Sequence, residues 1–182
     1  AAKNLSIKTQ NSDLILNGAL KNFVTYVEGS GSLGLIASLE SSNFDLNEFL
    51  APSNKEKEGP LTMFQLPGNI NVNIQMHIDK FLWDNHTFES ITGQFLLANR
   101  KVTVNQMRLK TLGGNVQGKL VLENRLENGN VIDGQIGFNS IHVKNLFKEW
   151  DNFQQESITD EHISGTVSGN VDLLLLFNPY FS

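Results

Sequence analysis

Between Asn69 and Asp79 the chain reads NINVNIQMHID, and apolar and polar residues alternate there without a break. Ile70, Val72, Ile74, Met76 and Ile78 fall on one side of an extended backbone, and Asn71, Asn73, Gln75 and His77 on the other. At roughly 3.3 Å per residue the segment would run about 36 Å, well beyond the usual strand of about 5–6 residues. A helix cannot sort a period of two onto separate faces, so a long strand with one greasy face is required. Left bare, that face would exceed the few hundred Å² that a soluble monomer usually exposes. Either more of the chain or something outside it must cover the surface.

The same alternation continues downstream as a meander. FESITGQFLLA is followed by a turn at Asn99-Arg100 and by KVTVNQMRLKTL. Gly113-Gly114 is the expected next turn, leading to NVQGKLVLE, and a longer loop through Asn128-Gly129 leads to NVIDGQIGFNS. Gly-Gly and Asn-Gly supply the positive φ that tight turns need, so sequential antiparallel strands are expected. At Asn105-Gln106 the apolar phase slips from Val102/Val104 to Met107/Leu109, which predicts a β-bulge.

Five strands also carry a glycine within the apolar phase: Gly18, Gly93, Gly118, Gly134 and Gly169. Glycine costs a strand interior about 0.5–1 kcal/mol relative to alanine, so five on one face call for a reason. Glycine kinks let a sheet bend sharply. The expectation is a mainly β fold: a long, strongly curved antiparallel sheet, forming a partly open barrel or trough with an apolar concave side.

Two short helices are expected, one at DLNEFLA (Asp45–Ala51), opened by an acidic cap and closed before Pro52, and one at VKNLFKEW (Val143–Trp150). Residues 52–60 form a charged, proline-bracketed loop expected to be mobile. NGAL, followed by Ser42, Asn47 and Phe49, is echoed by QGKL, followed by Ser140, Asn145 and Phe147. The shared order of strand, strand, short helix suggests a duplicated β-β-α unit over about 14–51 and 114–150. The 182 residues are expected to form one β-rich domain, a piece of something longer.

Composition narrows the function. The formal charge of −5 and the lack of a clustered basic face argue against a nucleic-acid partner. Arg108, Lys110 and Lys119 are the nearest candidates, and they read as solvated strand surface. Without cysteine there is no disulfide or thiolate metal site. The four histidines are scattered, and the one acid-flanked example, Asp160-Glu161-His162, reads as a loop surface rather than a metal site. No nucleophile elbow, P-loop or metalloprotease motif is present, and GSGSLG (Gly29–Gly34) reads as a hairpin loop. The expectation is a non-enzymatic protein with no cofactor and no metal.

The stretch from Leu66-Pro67-Gly68 through the long alternating strand, ITGQF, Gly113-Gly114 and GNVQGKLVL, followed by VKNLF and ISGTVSGNVDLLL, resembles the C-terminal region of AsmA-like proteins. That envelope family includes the TamB type. The resemblance covers roughly residues 14–177, thins over the charged loop, and rests on degenerate β-repeats. It implies a Gram-negative periplasmic protein, anchored to the inner membrane by a segment outside this chain. It also implies a role in outer-membrane biogenesis and in phospholipid transport or homeostasis. No catalytic residue comes with it. On this reading acyl chains would lie against Ile70, Val72, Ile74, Met76, Ile78, Ile132, Ile136 and Phe138. Neighbouring repeats or envelope proteins would be the other partners. The alternative is a structural or protein-interaction module in which the same face is packed against the chain itself.

Overall fold

A computed structural model describes residues 3–49 and 63–180. The expected loop 52–60 and the end of the first expected helix, Leu50 and Ala51, lie outside those residues. Ten strands form one sheet: β1 (Lys3–Lys8), β2 (Asp13–Lys21), β3 (Leu33–Ser41), β4 (Phe44–Asp45), β5 (Ile70–Trp83), β6 (His86–Ala98), β7 (Lys101–Thr111), β8 (Gly114–Asn124), β9 (Asn130–His142) and β10 (Thr166–Phe177). The order is β1-β2-β3-β5-β6-β7-β8-β9-β10, with β4 beside the end of β5. Among the described residues the sheet does not close into a barrel: β1 and β10 are its outermost strands.

The opening stretch is β5, and at 14 residues it is longer than its perfect alternation. From β5 to β10 every neighbour is antiparallel and consecutive, as the meander predicts. One junction differs. β3 and β5 run parallel, Leu33 opposite Ile70 through Ser41 opposite Ile78, because the chain returns to the start of the sheet before entering β5. Strand direction depends on that crossover, and residue alternation carries no record of it.

The turn at Asn99 (φ 50) and Arg100 (φ 59) has both central residues left-handed, as a two-residue hairpin requires. The next hairpin turns one residue earlier than expected, at Leu112 (φ 54) and Gly113 (φ 78). Gly114 belongs to β8, and a Cβ there would come within 2.5 Å of the Asn139 carbonyl oxygen of β9. Close approach claims that glycine, so a leucine must take the left-handed position.

The helices also depart in part from expectation. α2 (Val143–Glu149) forms where VKNLFKEW predicts it. The segment expected at 45–51 makes only a 3-10 turn at Leu46–Glu48, capped as expected by the Asp45 carboxylate accepting from Asn47 N at 3.0 Å. Its side chains are tied elsewhere: Asn47 exchanges two hydrogen bonds with the Asp84 backbone, and Glu48 accepts from Thr9, Asn11 and Ser12. The other helix, α1 (Phe23–Val27), lies in the connection between β2 and β3.

Both helices sit at strand ends. Among the described residues no element is layered over either face of the sheet, an unusual state for a domain, which normally packs two layers around a core. Among the described residues Ala37 (9% exposed), Ile78 (4%) and Ile141 (5%) are the buried hydrophobic side chains. The accessible surface is 12386 Å², against about 8,800 Å² for a compact monomer of this mass.

Candidate functional site

Cross-strand register turns the separate alternations into one surface. Leu20, Leu35, Val72, Leu97, Val102, Leu122, Ile132 and Leu175 stand opposite one another across eight strands. A second row runs Gly18, Ala37, Ile74, Phe95, Val104, Leu120, Gly134 and Leu173. A third runs Leu5, Leu16, Leu39, Met76 and Gly93, then resumes beyond the bulge as Met107, Gly118, Ile136 and Val171. At about 4.8 Å per strand, nine strands make a face about 38 Å across.

All eight residues expected to contact a ligand lie on this face, but in two groups. Ile70, Val72, Ile74, Met76 and Ile78 stand on β5, and Ile132, Ile136 and Phe138 on β9, with β6, β7 and β8 between them. Ile78 is buried, so it belongs to the core more than to any open surface. The other seven are half-buried. The residues that join the two groups are Phe95, Leu97, Val102, Val104, Leu120 and Leu122, and their own alternation marks them equally well.

The glycines of the apolar phase mark sites of tight strand packing. A Cβ on Gly118 would sit 2.2 Å from the Gln135 carbonyl oxygen, and one on Gly18 would sit 2.5 Å from both the Ile36 oxygen and the Ala37 Cβ. At Gly134 the obstacle is the tip of Leu120, 2.6 Å away, and at Gly169 it is the Phe138 ring at 3.1 Å.

One end of the sheet is fastened by amides. Asn124 and Asn130 face each other where β8 and β9 meet, and they are 4% and 1% exposed. Asn124 Nδ2 donates to Asn130 Oδ1 at 2.7 Å and to the Phe64 carbonyl at 3.0 Å, while its Oδ1 accepts from Leu66 N at 3.2 Å. Asn130 Nδ2 donates to the Asn178 carbonyl at 3.0 Å, and Phe64 N donates to Pro179 O at 3.0 Å. The pair thus holds the segment leading into β5 and the segment leaving β10 against one hairpin. In a chain with 22 asparagines nothing distinguishes these two beforehand.

At the opposite end, Phe44, Phe49, Phe81 and Phe88 form a chain of ring contacts 5.4–5.9 Å apart. Nearby, Asp13 accepts from Ser42 N at 2.8 Å, Asn43 N at 2.9 Å and Ser41 Oγ at 3.2 Å, and these bonds hold its carboxyl below the usual carboxylate range. Glu48 is lowered in the same way, chiefly by Ser12 and Thr9. Asp13, at the start of β2, thus holds the turn after β3, and Glu48, in the 3-10 turn after β4, holds the loop after β1.

Little here resembles a reaction centre. His86 Nδ1 lies 3.0 Å from Glu149 Oε2 and joins the β5–β6 hairpin to α2. His162 Nδ1 bonds back to Thr159 Oγ1 at 3.0 Å in a local turn. Among the described residues no three histidine, cysteine or carboxylate side chains gather where a metal could sit, and no helix is long and apolar enough to cross a membrane.

Two adjoining clefts lie on the polar face. One of about 700 Å³ spans β6 to β10, and an adjoining one of about 540 Å³ shares Arg108, Gln117, Gly137 and Asn170 with it. Comparison with known proteins finds no matching family model, no matching curated protein and no matching solved structure.

Proposed function

We propose that this chain is a non-enzymatic lipid-handling segment of a cell-envelope protein of the AsmA-like kind, working in the periplasm on phospholipid transport or homeostasis. One observation carries the reading: two apolar rows run unbroken from β2 to β10, a third is interrupted at the β7 bulge, and no described element covers them. Most side chains of these rows are already half-buried, so covering each gains a fraction of the roughly 1.5–3 kcal/mol that burial from full exposure is worth, and an acyl chain laid along a row collects that gain several times. The face has no fixed polar anchor, so the ligand can slide along it, with its headgroup left in water. The resemblance in the residues of β5 to β10 supplies the cellular setting.

The test is direct. The protein is purified without detergent, and bound lipid is extracted and identified by mass spectrometry, alongside uptake of fluorescent phospholipid from vesicles. Phospholipid should co-purify, and Ile74→Asp should abolish loading while leaving the melting temperature close to that of the parent. Lipid-free protein that takes up none from vesicles would overturn the proposal.

A second reading, a protein-interaction module, draws on the β10 edge. This strand is twelve residues long, with Leu174 and Leu176 at 64% and 74% exposure, and among the described residues no strand pairs with its outer side. Such an edge is a template for another strand. Stoichiometric capture of an envelope protein by a lipid-free chain would favour it.

A further inference from the structure

The three cations that read as solvated strand surface are not equivalent once folded. Arg108 stands in a single cross-strand row with Thr92, Gln117, Gly137 and Asn170 from five consecutive strands. Lys110, two residues along β7 and so about 6.6–7 Å away on the same face, heads a second row with Asn115 and Asn139. Together these rows floor the cleft of about 700 Å³ on the polar face, within the size range of small-ligand sites.

The backbone is shaped around this cleft. Ser90 in β6 (φ 52), Gln106 in β7 (φ 52) and Ser140 in β9 (φ 56) are left-handed non-glycine residues inside strands. β10 adds a register shift between Val167 and Gly169. Bulges re-aim side chains and collect beside functional sites, and left-handed residues persist only where the surroundings impose them. Gly137 keeps the floor open: a Cβ there would lie 2.8 Å from Asn170 Oδ1.

The lining chemistry is one-sided. No carboxylate lines the larger cleft. Acids stand around its margin: Asp172 in the adjoining cleft, Glu89 opposite Lys110, and Asp79 on β5 beside Ser90. Among the described residues neither Arg108 nor Lys110 is in an ion pair. The one aromatic residue in the lining, Phe138, stands in the apolar phase of β9 opposite Val116, with its ring against Gly169. A guanidinium, an ammonium and several amides and hydroxyls converging without an acid suit an oxyanion that accepts several hydrogen bonds.

We infer that this cleft binds a phosphate ester, held by Arg108 and Lys110 with Gln117 and Asn170 as neutral donors. The site is on the face opposite the apolar rows, so it is independent of the lipid-handling reading. The ester could be free, as in a sugar or glycerol phosphate, or the headgroup at a membrane surface.

Amide-resolved NMR of the intact chain, titrated with glycerol 3-phosphate against matched sodium chloride and against glycerol, tests the inference. A parallel arm measures co-sedimentation with vesicles of phosphatidylglycerol or of phosphatidylcholine. Saturable shifts at Thr92, Gln117, Gly137 and Asn170 are expected, weakened about tenfold or more in Arg108→Gln, because a charged hydrogen-bonding partner is lost. That result without vesicle binding identifies a soluble ester, whereas Arg108-dependent sedimentation with phosphatidylglycerol alone identifies a headgroup. Either supports the site. Overturning results are shifts equal to those in salt or glycerol with no vesicle binding, or binding unchanged in an Arg108→Gln variant that melts like the parent.

Discussion

The apolar-phase glycines allow a quantitative test in which two like substitutions should behave differently. Gly118→Ala and Gly134→Ala each add one methyl group to the same face of adjacent strands, and neither glycine has positive φ. Where there is room, alanine stabilises by about 0.4–1 kcal/mol through the unfolded chain. At Gly134 the intruding methyl meets Leu120 Cδ2 at 2.6 Å, which can rotate away, and backbone only at the Lys119 carbonyl oxygen, 3.3 Å off, which need give by a few tenths of an ångström, so the net effect should lie within about 1 kcal/mol of zero. At Gly118 it meets the Gln135 carbonyl oxygen at 2.2 Å and Ile136 Cα at 3.1 Å. These are backbone atoms of β9 that can move only if the β8–β9 ladder shifts. Overpacking of that kind costs about 1–3 kcal/mol. For a chain of this size each kcal/mol moves the melting temperature by about 2–4 °C. Gly118→Ala should therefore melt about 2–12 °C below the parent, and Gly134→Ala within a few degrees of it. Paired urea and thermal melts monitored by circular dichroism supply the measurement. Equal stability of the two variants, in either direction, would refute the claim that close backbone approach selects glycine at position 118.

Four further outcomes follow from the contacts. Asn130→Ala leaves Asn124 Nδ2 and the Asn178 carbonyl without their buried partner, so it should cost about 1–3 kcal/mol in urea unfolding. Ile78→Ala removes a core side chain and should cost about 2–5 kcal/mol, whereas Ile74→Ala, on the half-buried face, should cost distinctly less in the same melts. The Asp13 carboxyl is lowered by its hydrogen bonds to Asn43, Ser42 and Ser41, so its contribution is fully present above the unfolded value of about 4 and is lost as pH falls through the lower folded one. An Asp13→Asn variant should show a flatter fall in stability below about pH 4 than the parent. Gln154 is the last of four consecutive left-handed residues from Asp151, each costing a non-glycine residue about 1–2 kcal/mol, so Gln154→Gly should raise stability by up to about 1 kcal/mol.

The parts of this fold that were legible in advance are those governed by the side each residue takes. Alternation alone places β5 to β10 and their facing, and the slip at Asn105-Gln106 marks a real bulge, with Gln106 at φ 52 and a register shift between Val104 and Met107. The bulges at Ser90 and Ser140 carry the same mark, a three-residue step in the apolar phase from Phe88 to Ile91 and from Phe138 to Ile141, which the expectation of a single slip passed over. The parallel pairing of β3 with β5 was invisible because it depends on where an intervening segment returns. The two buried asparagines differ from the other twenty only in location. The single-layer character emerges last, since the pattern that demands a cover for the apolar face does not reveal whether the chain provides one. Arg108 shows the converse: the residue type was plain, and only cross-strand register gives it amide neighbours from three other strands.

The two edges of the sheet are unequal. β1 is six residues long and ends at Lys8, while β10 offers twelve residues whose single charge is Asp172. All three apolar rows run out at β10, on Leu175, Leu173 and Val171. Charge and brevity close one margin, and the other remains open in mid-pattern. The sheet therefore has a polarity, much as a growing crystal has one active face. A strand that joins at β10 must bring its own apolar residues in phase with those rows. A newcomer out of phase would set polar side chains into three greasy rows at once, so the margin proofreads what it accepts.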